Sequence, residues 1–359
     1  MEKDELLVMY GDDPEAMARR IAGEARLADL IGQRGKRIGL KPNLVAAKTA
    51  DQGATTHPEI VRGLAGYLKE QGFTRLTIME GSWVGDDTDK AFARCGYTAL
   101  AAEEGLELVN LQKDRFEVRG CKGMDIAICA QALKVDFMIN IPVLKGHCQT
   151  LLTCALKNNK GVIPDREKRR FHTLGLHKPI AHLNTAARND FVLVDGICGD
   201  LEFEEGGNPV PAGRIFASRD PVLCDAWAAS LLGYDAGAVP YIGLAEQLGV
   251  GSADVKQARI RELNRCSEGA AFPLPRGKER RFSRFIREDK ACSACYAALV
   301  SALSRMDYAC AEPVCIGQGF KGKTGALGVG RCTAGFAASS GGCPPTAAEV
   351  LGFLTGRGK

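Results

Sequence analysis

The sequence has no apolar run approaching the ~18–20 residues needed to span a bilayer, so a membrane partner is not expected. Its opening residues, MEKDE, are charged and hold no apolar core, which argues against an ordinary secretory signal. Charge of one sign is equally scarce. With 47 basic and 43 acidic residues the formal charge is only +4, too small to draw in nucleic acid or an anionic surface. The one basic concentration, residues 278–287, interleaves cations with Phe282 and Phe285, and a solvated linker explains it better than a nucleic-acid contact. No internal repeat is visible. These absences leave a cytoplasmic globular protein, where thiols stay reduced, and its 14 cysteines read as ligands or core residues rather than disulfides.

With 45% apolar and 25% charged residues, 359 positions suffice for one large domain and a small appendage. Short apolar runs at 6–10, 37–42, 76–80, 106–110, 137–141, 191–195 and 214–217 alternate with amphipathic stretches at 14–27, 58–71, 89–104 and 221–232. Such alternation predicts an α/β fold with a mainly parallel sheet and helices on both faces. Pro58 and Pro221 mark helix starts, the second behind the capping acid Asp220. The pattern fades after about residue 254. The expected organisation is therefore an α/β domain over 1–260, a linker over 261–288 and a small cysteine-rich cluster domain over 289–359.

In that last segment Cys292 and Cys295 are two residues apart; 36 residues then precede Cys332, and ten more precede Cys343 with its following Pro344. A close pair completed by distant cysteines, the last followed by Pro, predicts one 4Fe-4S cluster held by these four thiolates. Structural zinc on the same ligands and plain buried thiols are the alternatives. A helix over 296–306 would aim its amino-terminal amides at the anionic cluster. Cys310 and Cys315 are spare candidates, whereas Cys95, Cys121, Cys129, Cys154, Cys198 and Cys224 read as core thiols. Residues 317–324, GQGFKGKT, match the phosphate-loop pattern G-x4-G-K-[ST]. Gly325, Gly328 and Gly330 follow at once and oppose the helix that motif requires, so the loop is expected to wrap the cluster and not a nucleotide.

Histidine is also sparse, yet four of the five fall within 36 residues, at 147, 172, 177 and 182. His147 and His172, with Lys157, are the candidate catalytic groups, since imidazole serves both proton transfer and metal binding. Lys41, Asn43, Lys145, Asn158 and Asp195 fall near the carboxyl ends of the expected strands, where open parallel sheets bind ligands, and are the candidate substrate ligands. Lys41, Lys145, Lys157 and Lys160 would attract a small anionic molecule. A helical run beyond His147 would set Lys157 roughly 80° around from it, close enough for one cavity wall. The stretch 195–208 gathers carboxylates in a glycine-rich loop that reads either as a divalent-cation site or as a solvated loop.

The segments KPNLV at 41–45, HPEIV at 57–61, DFMIN at 136–140, the block from Lys157 and Asn158 to GVIP at 161–164, DGI at 195–197 and DPV at 220–222 together resemble the family called domain of unknown function 362. Members of that family often carry ferredoxin-like cluster domains, which the resemblance implies here as well. A more distant similarity is to lactate racemases that use a nickel-pincer nucleotide, in which a His precedes the cofactor-bearing Lys by ten residues and a nickel-binding His follows. His147, Lys157 and His172 match that order, which implies a second metal or metal cofactor in the α/β domain, on Lys157. The glycine-rich run before that lysine is absent. The leading expectation is an iron-sulfur redox enzyme for a small anionic substrate, served by a redox partner protein. A noncatalytic electron-transfer or metal-handling protein and an isomerase-type enzyme are the alternatives.

Overall fold

The computed structural model describes residues 1–265, 272–275, 281–306 and 313–356. The chain forms two compact units, one of residues 1–168 with 177–274, the other of residues 169–176 with 275–359.

In the first unit β1 (Glu5–Tyr10), β2 (Ile38–Pro42), β3 (Leu76–Glu80) and β4 (Glu107–Asn110) follow the expected apolar runs. A hairpin of β5 (Phe116–Gly120) and β6 (Asp125–Cys129) precedes β7 (Phe137–Ile141). A second, short hairpin of β8 (Lys145–His147) and β9 (Leu151–Thr153) comes next, then β10 (Phe191–Asp200), β11 (Pro209–Ser218) and β12 (Arg259–Glu262). Eight strands join in the order β12-β1-β11-β10-β7-β2-β3-β4. Only β11 runs against the rest, pairing antiparallel with β1 and β10. The sheet is thus mainly parallel.

Alternation along the strands sorts the two faces. Ile38, Leu40, Ile78, Phe137, Ile139 and Leu193 share one continuous core with the helices Pro14–Glu24 and Pro58–Glu70. Burying such side chains stabilises by about 1.5–3 kcal/mol each. On the other face Phe216 meets Trp227 of the helix Pro221–Leu231 edge to face at 4.6 Å. The same alternation turns Lys41 and Asn140 away from the apolar core, although both are fully buried. Asp220 caps its helix through the amides of Val222 and Leu223, at 2.8 and 3.1 Å.

Two sequence expectations change here. β10 and β11 extend well past the expected runs and form a ribbon, so Asp195 is a strand residue opposite Ile215 and the loop shrinks to 201–208. Period-two alternation is lost where glycines and prolines enter the ribbon, which hides it from the sequence pattern. The expected linker 261–288 has strand residues at both ends, in β12 and in β13 (Ile286–Glu288); its residues 266–271 and 276–280 lie outside the described residues.

The second unit carries four short parallel strands in chain order, β13, β14 (Val314–Ile316), β15 (Leu327–Val329) and β16 (Ala338–Ser340). Its helix Ser293–Leu303 begins three residues earlier than expected, which makes Cys292 the cap and sets Cys295 in the first turn. A second helix, Ala347–Leu354, opens with a reciprocal cap between Thr346 and Glu349. The phosphate-loop-like segment makes a single turn at Gln318–Phe320 and leads into β15, with no helix at Lys323 and Thr324. Lys323 Nζ lies 3.5 Å from Asp289 Oδ2.

Candidate functional site

At the carboxyl end of β7 the chain turns outward through Pro142, then folds back as the β8–β9 hairpin, pairing His147 with Leu151. Leu151 occupies the left-handed region at φ 63°, and a helix Ala155–Asn158 begins directly after the hairpin. The expected helical run from His147 is therefore replaced by a hairpin, because strand-forming Leu-Leu-Thr follows a tight turn. Asp225, fully buried, accepts from the amides of Ala155 (2.7 Å) and Leu156 (3.3 Å) and so orients the short helix bearing Lys157. Gly146 has no room for a side chain: a Cβ there would lie 2.1 Å from the Leu201 carbonyl oxygen. The hairpin consequently packs against the ribbon loop 201–208.

That loop is shaped by Asp200. Its carboxylate accepts from the amides of Glu202 (2.9 Å), Phe203 (3.0 Å) and Asn208 (3.0 Å), an arrangement that delivers Glu204 to the hairpin. Glu204 Oε2 lies 2.9 Å from His147 Nε2 and 2.5 Å from Lys157 Nζ. Lys157 also donates to Thr153 Oγ1 at 3.2 Å. The amides of Gln149 (3.0 Å) and Thr150 (3.1 Å) both donate to His147 Nδ1, which leaves the neutral ring's proton on Nε2, facing the carboxylate. Burial pushes His147 down to about 4, so the ring is neutral at physiological pH. Burial alone would push Glu204 up, but His147 and Lys157 outweigh it and hold the carboxylate well below its usual range. Sequence reasoning placed Glu204 among the acids of a solvated or cation-binding loop and missed this role.

Lys145 is engaged differently. Its Nζ donates to Asn43 Oδ1 (3.0 Å), Ala54 O (2.5 Å) and Glu204 O (2.6 Å), three acceptors for the three protons of an ammonium. It ties the loop 201–208 to the segments at 43 and 54, and burial, opposed by Glu204, pushes its pKa down to about 7. Lys41 pairs with Glu80; burial pushes Lys41 down and Glu80 up, each opposed by the other's charge. Gly161 covers this pair so closely that a Cβ would lie 2.4 Å from Glu80 Oε1. Asp195 Oδ2 accepts from the His57 amide at 2.8 Å and lies 2.8 Å from His57 Nδ1. Burial pushes His57 down, but Asp195 outweighs it and raises the ring's pKa. Each acid of the 195–208 stretch named here is thus engaged by protein groups.

A chain of amides runs from this centre across the sheet. Lys145 donates to Asn43, Asn43 Nδ2 to Asn158 (2.9 Å), Asn158 Nδ2 to Asn140 (2.7 Å), Asn140 Nδ2 to Asn189 (2.7 Å) and Asn189 Nδ2 to Asn184 (2.9 Å). Every link points the same way, so the dipoles add, with their oxygen ends toward Lys145. Asn43 and Asn158, expected as substrate ligands, are links in this chain.

His177 and His182 do not join His147 at Glu204. His172 lies in the helix Asp165–Thr173, in the part that belongs to the second unit. His177 stacks on Tyr241 at 5.8 Å between ring centres, and His182 Nδ1 lies 2.8 Å from Cys121 O. Tyr241 in turn donates to Leu152 O of the hairpin at 3.2 Å, so His177 reaches the hairpin through that ring.

In the second unit the turns bearing the candidate ligands approach one another. The Arg331 amide donates to Gly342 O at 2.9 Å, setting Cys332 beside Cys343, and a Cβ on Gly330 would lie 3.8 Å from Cys295 Sγ. Gln318 Nε2 lies 3.7 Å from Cys292 Sγ. Burial raises the Cys332 thiol, with the neighbouring Cys343 adding to it. Among the described residues no three His, Cys, Asp or Glu side chains close on a common metal position. The six cysteines read as core thiols are buried, and burial pushes Cys95 up to about 11 and Cys129 up to about 12. Cys310 lies outside the described residues.

Residues 38–230 match the family described as "Domain of unknown function (DUF362)". A thylakoid-associated protein of Synechocystis sp. is 25% identical over 261 residues, covering 68% of this chain and 74% of that protein. The structure of the lactate racemase apoprotein from Thermoanaerobacterium thermosaccharolyticum aligns with a TM-score of 0.40 at 14% identity over 61% of this chain. The aligned part spans about half, 55%, of the racemase chain. Among the described residues no helix is long and apolar enough to cross a membrane.

Proposed function

The chain belongs to the domain of unknown function 362 family, and on that footing we propose that it is an iron-sulfur enzyme whose first unit transfers a proton to or from a small anionic substrate at His147, Glu204 and Lys157. One observation carries the reading: two ionisable side chains, His147 and Lys157, meet on a single carboxylate oxygen of a third, Glu204, all buried, beyond the carboxyl end of a parallel strand. Burying charge in this way gives little stability compared with apolar residues of the same volume, so such clusters concentrate where chemistry needs them.

In this reading Glu204 accepts a proton, because the neighbouring Lys157 keeps it ionised while burial strips it of water. His147 keeps its neutral Nε2–H 2.9 Å from the carboxylate and positions it, taking no proton itself. Lys157, displaced from Glu204 as that group becomes neutral, offers its charge to the substrate's carboxylate or phosphate. Lys145 and Asp200 hold the loop and act as positioning residues.

The thiolates of Cys292, Cys295, Cys332 and Cys343 would hold a 4Fe-4S cluster. Support comes from the approach of the turns bearing Cys295, Cys332 and Cys343 in one small unit and from a helix capped by Cys292. When bound, such a cluster supplies one-electron redox chemistry. A reducing compartment such as the cytoplasm keeps these thiols available.

Two measurements test the proposal. Anaerobic reconstitution followed by iron and sulfide analysis should return about four of each per chain; stoichiometric zinc without sulfide contradicts the cluster. Calorimetric titration with hydroxy- and keto-carboxylates should show binding that Lys157→Met removes. Binding that survives this substitution contradicts the site.

A further inference from the structure

We propose that a cavity at the amino-terminal edge of the main sheet binds a phosphorylated small molecule. The cavity has a volume of about 480 Å³ and lies at the residues that lead into β2, β7 and β10, the end of those strands opposite to the His147 hairpin. Ligand pockets usually span about 300–1,000 Å³, so the space accepts a nucleotide-sized compound.

Its charge selects the ligand. Lys3, Lys36, Lys122, Arg188 and Arg219 line it, against two acids, Asp136 and Asp190. Both acids already face cations: Asp136 lies 3.2 Å from Arg37, and Asp190 lies 2.7 Å from Arg188. Asp220, next in the chain to Arg219, is held by the amides of Val222, Leu223 and Ser252, and of the lining cations it feels the charge of Lys3. Among the described residues no carboxylate pairs within ion-pair distance with Lys3, Lys36, Lys122 or Arg219. The protein partners of three of them are neutral carbonyls: Ile31 O for Lys36 (2.7 Å), Leu248 O for Lys122 and Met1 O for Arg219 (3.3 Å). Carbonyls orient these cations without neutralising them, which leaves a concave surface of positive potential.

A second observation comes from the floor. Asn184 and Asn189 line the cavity and form the far end of the amide chain that begins at Lys145. The last amide, Asn184 Nδ2, donates to Leu156 O and Ile180 O, both at 2.8 Å, so the chain holds these two side chains rigidly at the cavity floor. Leu30, Leu248 and Val250 supply an apolar wall. The cations suit phosphate oxygens, and the apolar wall suits an organic remainder, which together point to an ester and not a bare inorganic ion.

The test is isothermal titration of the full chain with ADP, inorganic pyrophosphate and adenosine. One equivalent each of ADP and pyrophosphate should bind, and adenosine should not. A Lys36→Glu Arg219→Glu variant should weaken ADP at least tenfold, as should Lys3→Glu Lys122→Glu, whose sites are exposed and tolerate charge reversal without unfolding. Glu204→Gln and Lys323→Ala should bind ADP as the unaltered chain does. Absence of ADP and pyrophosphate binding at millimolar concentration overturns the proposal. ADP binding lost in Lys323→Ala but kept in both charge-reversal variants overturns its location, and pyrophosphate binding without ADP binding overturns the ester.

Discussion

His147 Nε2 and Glu204 Oε2 lie 2.9 Å apart with both side chains buried, joining a hairpin at the end of one strand to a ribbon loop 57 residues later. Because two backbone amides occupy His147 Nδ1, the ring can meet the carboxylate only as a donor while it stays neutral. The relationship fixes both protonation states at once.

Stability should record this. The folded ring resists protonation down to about 4, whereas an unfolded histidine takes a proton near 6.5. Below that upper value the unfolded chain takes the proton that the folded ring refuses, so His147 lowers stability by about 3 kcal/mol as pH drops from 6.5 toward about 4, while Glu205 and Asp225, both raised to about 7, act in the opposite direction. His147→Gln, which cannot titrate, should therefore lose less stability than the unaltered chain over that window and leave the loss at lower pH, where Glu204 protonates. Denaturant midpoints measured across pH check this, and an unchanged slope in His147→Gln contradicts it.

Removing one partner of the buried pair should differ from removing both. Glu204→Ala leaves Lys157 buried without its counter-charge and should cost about 3–5 kcal/mol of unfolding free energy. The double change Lys157→Met Glu204→Leu should cost much less, or stabilise the fold. If the double variant is as unstable as Glu204→Ala, the pair is a structural element, and the stability argument for a functional centre fails.

Gly161→Ala should press on Lys41 and Glu80, whose side-chain atoms lie within 2.6 Å of the added carbon position. Overpacking of this kind costs about 1–3 kcal/mol. A variant with an unshifted melting temperature would show that the pair is looser than described.

For the cysteines, Cys332→Ser Cys343→Ser should lose most of the iron and sulfide that the reconstituted chain holds, while Cys315→Ser should keep it. Cys315 sits in β14, paired with Gly328, and not in the turns that bear the other cysteines. Full iron retention in the double variant contradicts the ligand set.

Much of the fold was legible because buried parallel strands read as short apolar runs between amphipathic helices, as at 76–80 and 137–141. The β8–β9 hairpin was not, since three-residue strands carry too little periodicity and the turn depends on Leu151 taking a positive φ. The candidate site was half legible. Lys157 and His147 stood out by type and spacing, but Glu204 looked like one more acid in a loop, and its partners are distant in sequence. Asn184 and Asn189 gave no signal at all, and Asn140 only as part of the DFMIN segment, because an amide chain across a sheet exists only once the strands are paired.

The visible absorbance of the anaerobically reconstituted chain, followed during titration with small carboxylates and phosphate esters beside Glu204→Gln, decides between an enzyme and a static cluster protein. At least one compound should bleach or restore the cluster absorbance in the unaltered chain, and this response should drop at least tenfold in rate in Glu204→Gln, with iron content unchanged. No response to any compound, or an equal response in both proteins, would contradict the proposed enzyme.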